Sequence, residues 1–428
     1  MKFYLFALGC KVNGYENNAL RELLLKEGGK ESPLTEADLI VLNTCAVTSV
    51  ADQKSRQHIR KLRRLNEKAV LAIMGCYSET HAMDVSKMGA DIVIGTTRRN
   101  KIVSYYDDLV NRRKERPIID VKKSVRHEKY EEMGQMALSN QSRAYLKIQD
   151  GCDNFCSYCL IPSLRGNSRS RDYQNILSET KALVEKGYKE IVLTGIHIGK
   201  YGLDLPDNKY LLPSLCKDIL INNPSLYRLR LGSLESKEIT SDFANLLKDH
   251  QNLVNHFHIP LQSGSSSVLE RMHRPYDVEA FYKTVEMLRE VRPNIALTTD
   301  IIVGFPGESE KEWQETLDFV KRVRFSEIHV FPFSARSGTL AASLPNQIDP
   351  ATKEKRVHEL LSLSKELRKE YERTFYNKEM EVLFEDYKKE EGMAYGHSDN
   401  YLLVKTPSSR PLHGEILKVI YDENSAAD

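Results

Sequence analysis

Three cysteines in one short stretch, Cys152, Cys156 and Cys159, form a C-x-x-x-C-x-x-C pattern that begins just after Asp150-Gly151. A loop with that spacing can wrap three thiolates around one face of an iron–sulfur cluster. Three ligands leave one iron with an open coordination position, and an open position means chemistry at the metal, as it does in catalytic zinc centres. A zinc site short of its fourth ligand, or three unrelated thiols, would not call for Gly151 before the first cysteine and Tyr158 before the last. The cluster is the better reading.

The chain holds seven cysteines, and an odd number argues against a disulfide framework. Cys10, Cys45 and Cys76 look scattered until they are placed on elements. Phe3–Gly9, Leu39–Thr44 and Val70–Gly75 are short apolar, β-prone runs separated by helical stretches, the alternation of a parallel α/β sheet. Each run ends directly on one of these cysteines. The C-terminal ends of parallel strands share the edge where ligands bind, so three thiolates can converge there across a gap that no local motif closes. One such cysteine would be packing; three in succession predict a second three-thiolate cluster. Asn13 and Asn43 stand near enough in sequence to hydrogen-bond around it. Cys216, inside the helical pattern Leu211–Ile221, reads as a buried structural thiol.

Beyond Cys159 the alternation continues. Strands are expected at Tyr145–Gln149, Glu190–Gly195, Arg228–Ser233, His256–Leu261, Ala296–Val303 and Glu327–Phe333. Amphipathic segments such as Ile176–Gly187, Ile239–Asp249, Val278–Val291 and Glu310–Val323 lie between them. Six such units predict a partial (β/α)6 barrel with its function at the C-terminal strand ends. Those ends are polar or glycine-rich: Thr194-Gly195, Ser233-Leu-Glu235, Gln262-Ser-Gly264 and Gly304-Phe-Pro-Gly307-Glu308. Turn chemistry explains any one glycine; their recurrence at equivalent ends points to a small-molecule site. There Gly195 and Gly304 let backbone amides approach a nucleoside, and Glu235 and Gln262 can hold its hydroxyls or an ammonium.

The last segment reads as an amphipathic helix, Thr352–Phe375, followed by β-prone runs Glu379–Phe384, Met393–Gly396, Tyr401–Thr406 and Gly414–Tyr421, a small antiparallel barrel. From Tyr371 onward seven Lys and Arg face twelve Asp and Glu, a local charge of −5, while the rest of the chain carries +7. Basic residues cluster at Lys54–Arg64 and Arg112–Lys114. Such runs can neutralise phosphates, and they are equally ordinary as a solvated helix face. No apolar run approaches the roughly 20 residues of a membrane span, and MKFYLFALGCKVN lacks the core and cleavage site of a signal peptide. A cytoplasmic protein with no membrane partner is expected.

These residues together carry a resemblance. The cysteine loop with its aromatic resembles the radical S-adenosylmethionine (SAM) superfamily. The three N-terminal cysteines with GCDNFCSYCLIPSLRGNSRSR, RLGSLES, HIPLQSGS and DIIVGFPGE resemble the methylthiotransferases over nearly the whole chain. LGCKVNGYEN, LTGIHIGKYG and the CDNFCSYC loop look most like the bacterial branch acting on N6-threonylcarbamoyladenosine in tRNA. The resemblance implies an α/β chain in three parts: an N-terminal cluster-binding domain over 1–125, a radical SAM core over 138–370, and a TRAM-like RNA-binding barrel over 371–428. It implies two [4Fe-4S] clusters and SAM, with Tyr158, Gly195, Glu235, Gln262 and Gly304 at the SAM site.

The implied reaction puts a methylthio group on C2 of the modified adenosine at position 37, in the anticodon stem-loop. That C–H bond has no acidic proton for a general base to take, so hydrogen abstraction is the route open to it. By resemblance, the Cys152/Cys156/Cys159 cluster cleaves SAM to a 5′-deoxyadenosyl radical, and the Cys10/Cys45/Cys76 cluster carries or supplies sulfur methylated by a second SAM. A flavodoxin or ferredoxin-like donor would supply the electron; the sulfur source has no signature in the sequence. Methylthiotransferases acting on isopentenyladenosine or on a ribosomal-protein aspartate share nearly all these motifs. A non-catalytic iron–sulfur RNA-binding protein would have no use for the four polar strand ends.

Overall fold

The computed structural model describes residues 1–122, 128–134, 141–206 and 211–427. The expected domain boundaries at 125 and 138 lie outside the described residues. Packing divides the chain into two compact units, the first made of Met1–Ser139, Lys147–Phe155 and Cys159–Arg171, the second of Asn140–Leu146, Cys156–Tyr158 and Asp172–Asp428.

In the first unit, β1 (Lys2–Ala7), α1 (Lys11–Lys26), β2 (Lys30–Glu31), β3 (Leu39–Thr44), α2 (Ser49–Leu65), β4 (Val70–Gly75), α3 (Cys76–Lys87), β5 (Ile92–Ile94), α4 (Ile102–Val110) and β6 (Ile118–Asp120) alternate along the chain. The strands form one parallel sheet in the order β2-β1-β3-β4-β5-β6. Every residue of β3 and β4 is buried, because helices cover both faces. Ile40, Leu42, Leu71 and Ile73 pack against Ile59 and Leu62 of α2 and Val85 of α3. Leu39, Val41, Ala72 and Met74 pack against Leu20 and Leu24 of α1 and Ile102 of α4. The sequence announces only β1, β3 and β4; β2, β5 and β6 are two or three residues long, too short for a periodic pattern. The unit ends with a two-stranded antiparallel pair, β8 (Gln149–Asp150) and β9 (Arg169–Ser170), and the short helix α5 (Ile161–Arg165) between them.

The second unit carries the barrel strands β7 (Ala144–Lys147, whose last residue falls in the first unit), β10 (Glu190–Thr194), β11 (Arg228–Leu231), β12 (His256–His258), β13 (Ala296–Val303) and β14 (Glu327–Pro332). They form two three-stranded sheets, β11-β10-β7 and β12-β13-β14. A parallel bridge between Leu229 and Leu253, and the bond from Leu234 N to His258 O at 3.0 Å, carry the pairing from β11 to β12. Helices α6 (Tyr173–Glu185), α7 (Leu212–Asn222), α8 (Ser241–Asp249), α9 (Ser266–Arg271), α10 (Val278–Val291) and α11 (Glu310–Val323) intervene, so the partial barrel is present in the expected order. A capping box between Ser309 and Glu312 sets the start of α11. Cys216 lies fully buried on α7.

After α12 (Leu340–Ser343) comes the long helix α13 (Pro350–Arg373), with Asp349 as N-cap and proline at its first position. It leads to β15 (Lys378–Lys388), β16 (Met393–Ser398), β17 (Leu403–Pro407) and β18 (Ile416–Tyr421), an antiparallel sheet in the order β17-β16-β15-β18. A register shift between Phe384 and Asp386 lets β15 run on past the expected Phe384. The sheet curls until the segment after β18 bonds to β17, Lys405 N to Ser425 O at 2.8 Å and Ala427 N to Leu403 O at 3.2 Å.

Candidate active site

Strands β1, β3 and β4 are parallel neighbours, so their C-terminal ends lie side by side. Cys10 stands at the N-cap of α1, Cys45 directly follows β3, and Cys76 opens α3. The sheet edge thus brings the three expected thiols together. Cys10 is exposed while Cys45 and Cys76 are buried. Gly9 passes so close to Cys45 that a Cβ there would come within 2.7 Å of its Cβ, and its φ of +93° also favours glycine. The two asparagines brace these turns. Asn13 Nδ2 donates to Leu8 O (2.7 Å) and Thr44 O (3.1 Å), and Asn43 Nδ2 donates to Asn13 O and Glu16 Oε2 (both 3.3 Å). Burial pushes the Cys76 thiol up to about 11, with Arg165 opposing, and burial likewise raises Cys45. A bound metal overcomes such a shift by displacing the proton.

Beneath these cysteines lies a buried ion network that the sequence does not announce. Glu16 of α1 accepts from Lys147 (2.7 Å) and Arg165 (2.9 Å) and pairs with Arg99 (2.5 Å). Asp150 pairs with Lys147 (2.7 Å), Arg165 (3.1 Å) and Arg169 (3.2 Å). Burial alone would raise Glu16 and Asp150, but the surrounding cations outweigh it and hold both below the ordinary carboxylate range. Arg165 is the last residue of α5 and also donates to Asn13 Oδ1 at 3.0 Å. The only sequence signal was a set of charges at the ends of the cysteine motif, Asp150 before it and Arg165 and Arg169 after it.

Cys152, Cys156 and Cys159 sit on the irregular stretch between β8 and α5. Each sulfur has an N–H aimed at it. Asn154 N donates to Cys152 Sγ and Ile161 N to Cys159 Sγ, both at 3.4 Å, and Arg274 Nη1 donates to Cys156 Sγ at 3.2 Å. Donors of this kind suit thiolates and set the potential of a cluster bound to them. Nothing in the local sequence around Arg274 singles it out. It pairs with Glu235 at 2.9 Å, lies over the Tyr276 ring at 5.0 Å and donates to Tyr276 Oη at 2.9 Å. Tyr276 in turn donates to Pro260 O at 2.7 Å.

The expected SAM-site residues divide by this geometry. Glu235 reaches the Cys156 neighbourhood through Arg274 and also caps the short turn Ser236–Glu238. Tyr158 packs on Val268, Met272, Phe305 and Phe333. Gln262 has a left-handed backbone (φ +71°) and bonds β13 through its main chain, to Asp300 O and from Ile302 N, both at 2.9 Å. Gly195 is half-buried just past β10. Gly304 stands apart: its φ of +73° favours glycine and a Cβ there would come within 2.5 Å of Lys353 Cγ, so the local turn already accounts for the glycine.

The donor sets fit a cluster better than a single ion. Thiolates on one tetrahedral zinc, at about 2.3 Å from the metal, lie roughly 3.8 Å apart. Among the described residues no three cysteine sulfurs lie within 4.8 Å of one another. A cluster spreads its ligands over separate irons and does not need that approach.

Comparison with known proteins gives three findings. A family model for the radical SAM superfamily matches residues 146–320, and one for the uncharacterized protein family UPF0004 matches residues 2–95. The chain is 43% identical to threonylcarbamoyladenosine tRNA methylthiotransferase MtaB of Bacillus subtilis, over 96% of this chain and 92% of that protein. It is 34% identical to a tRNA-2-methylthio-N(6)-dimethylallyladenosine synthase of Natranaerobius thermophilus, over 98% and 93%. Among solved structures, the radical SAM methyltransferase TsrM of Kitasatospora setae superposes with a TM-score of 0.60 at 16% identity, over 80% of this chain and 74% of that one. That likeness shows the shared fold.

Proposed function

The chain belongs to the radical SAM methylthiotransferase family, and from that premise we propose that it transfers a methylthio group to C2 of N6-threonylcarbamoyladenosine at position 37 of tRNA. Membership in the superfamily implies SAM and a [4Fe-4S] cluster. When bound, these supply one-electron cleavage of a sulfonium and hence a carbon radical able to take hydrogen from an unactivated aromatic C–H bond. The observation that carries the two-cluster reading is the pair of separate three-cysteine sets, one on the loop before α5 and one at the β1-β3-β4 edge.

In this reading Cys152, Cys156 and Cys159 hold the radical-forming cluster and leave one iron for SAM. Cys10, Cys45 and Cys76 hold a second [4Fe-4S] cluster that carries the sulfur. The chain's own residues do the positioning. Asn154 N, Ile161 N and Arg274 offset the charge of the loop thiolates, and Glu235 keeps Arg274 oriented. Tyr158, Gly195, Glu235, Gln262 and Gly304 are proposed around the SAM site. Three functional domains follow: 1–125 for the second cluster, 138–370 for radical chemistry and 371–428 for RNA. A flavodoxin or ferredoxin-like donor is proposed for the electron. No helix among the described residues is long and apolar enough to cross a membrane, and a cytoplasmic setting is part of the proposal. The substrate rests on the higher identity to the relative named for threonylcarbamoyladenosine than to the one named for dimethylallyladenosine.

The test is mass spectrometry of tRNA nucleosides from cells with and without this gene. Loss of 2-methylthio-N6-threonylcarbamoyladenosine with accumulation of its unthiolated precursor is the expected result. An unchanged nucleoside profile would overturn the substrate.

A further inference from the structure

We propose that His258, Asp300 and His329, on the inner face of the barrel, form a binding site for a divalent transition-metal ion of the zinc class. The three side chains come from β12, β13 and β14, neighbours in one parallel sheet. Asp300 and His329 are paired in register, and His258 stands opposite Thr298, two residues before Asp300 on the same face. One donor atom from each side chain lies within 4.8 Å of the other two. His258 Nε2 is 3.3 Å from Asp300 Oδ2, and the two imidazole rings are centred 5.7 Å apart. Nitrogen and carboxylate donors about 2.1 Å from a tetrahedral zinc stand about 3.4 Å from each other. The His258–Asp300 pair already has that spacing.

Thr298 sets which nitrogen faces the site. His258 Nδ1 lies 2.9 Å from Thr298 Oγ1. Donation from Nδ1 to that hydroxyl leaves the Nε2 lone pair aimed at the Asp300 carboxylate, the arrangement by which ligand histidines are oriented. A lone pair facing a carboxylate oxygen repels it unless a proton or a metal ion stands between them. A proton is satisfied by those two groups alone, whereas the third converging donor, His329, is what an ion requires. Two imidazoles and one carboxylate suit zinc and its first-row neighbours, and they leave a position for water or another oxygen ligand.

Tyr401 identifies this face as the inner one. Its ring stacks on His256 of β12 at 5.0 Å and lies under Arg230 of β11 at 4.8 Å, so both half-sheets turn this face toward it. Ile302, two residues beyond Asp300 and about 7 Å along the strand, packs on the same apolar cluster as Tyr158 of the cysteine loop. The exposed His329 gives an ion a way in. The site does not depend on which base the chain modifies.

The experiment uses the full chain with its clusters reconstituted, so that the cysteines are occupied, equilibrated with micromolar zinc and then desalted. Elemental analysis is expected to give about one zinc per chain beyond the iron, and X-ray absorption at the zinc edge a shell of nitrogen and oxygen at about 2.0–2.1 Å with imidazole scattering and no sulfur. Asp300→Ala and His329→Ala are expected to lose that zinc with iron content unchanged, and Thr298→Val to weaken it about 10–100-fold. A parent that holds no zinc, a sulfur shell around the zinc, or zinc retained at the parent's level in Asp300→Ala or His329→Ala would overturn the site. Should a variant also lose iron, the edge spectrum of the parent decides, because it needs no variant to fold.

Discussion

At the scale of single residues, the six candidate ligand cysteines are separable by what their loss should do. Alanine at Cys152, Cys156 or Cys159 is expected to abolish production of 5′-deoxyadenosine from SAM, because the radical-forming cluster loses a ligand. Alanine at Cys10, Cys45 or Cys76 is expected to leave that cleavage largely intact and to stop methylthio transfer. Chromatographic assay of both products in one reaction checks the pair of roles; normal methylthiolated product from either set would defeat them. Cys216 is the control. It is fully buried on α7 and burial holds its thiol far above the ordinary range, so it is inert. Cys216→Ala should retain the full iron content and lose on the order of 1 kcal/mol of stability from the small void it leaves. Loss of one cluster's worth of iron would mean that Cys216 is a ligand.

At the scale of elements, the C-terminal sheet is docked on the barrel by arginines from β11. Arg228 donates to His397 O (3.1 Å) and Glu381 O (2.6 Å), and Arg230 donates to Asp399 O (3.1 Å) and Ser398 O (3.3 Å). Both also face Glu190 of β10, as does Arg143, with Arg230 Nε at 2.8 Å. Burial would raise Glu190, but these three guanidinium groups bring it down to about 2. A carboxylate depressed on folding contributes stability that is present above its unfolded value near 4.5 and lost as pH falls toward about 2. A shift of that size corresponds to an order of 3 kcal/mol at neutral pH. Glu190→Gln should therefore lower the urea midpoint at pH 7 and flatten the loss of stability between pH 4.5 and 2. A variant whose acid unfolding curve overlays the parent's would show that the three arginines are satisfied without Glu190.

At the scale of the whole molecule, the question is where RNA binds. The C-terminal segment forms the expected antiparallel sheet, for which RNA binding is proposed, yet the chain from Tyr371 onward carries −5. Lys54, Arg60, Lys61 and Arg64 are exposed on α2, whereas Arg63 is spent on Asp91 at 2.5 Å. If that helix meets the tRNA backbone, changing the four exposed cations to alanine should weaken tRNA binding. It should also reduce the slope of log affinity against log salt by about 0.7–0.9 for each phosphate that is no longer neutralised. An unchanged slope in filter-binding titrations would place the RNA elsewhere on the molecule and leave the C-terminal sheet as the first place to look.

Much of this protein is legible in its sequence because the signals are local. The C-x-x-x-C-x-x-C spacing, the buried runs ending on Cys10, Cys45 and Cys76, and the strand–helix alternation all lie within a few residues, and periodicity reports burial directly. The short strands β2, β5 and β6 were not legible, since two or three residues hold no period. Nor were Arg165, Arg274 and the network of Glu16, Arg99, Lys147 and Asp150. A charged residue in sequence reads as surface by default. Only the fold brings a residue at position 16 beside those at 99, 147 and 165, where removal from water makes their pairing obligatory. The sequence by itself determined which thiols are available and on which strands they end. The tertiary structure decided which cations stand behind them, because that follows from long-range packing and the cost of burying charge.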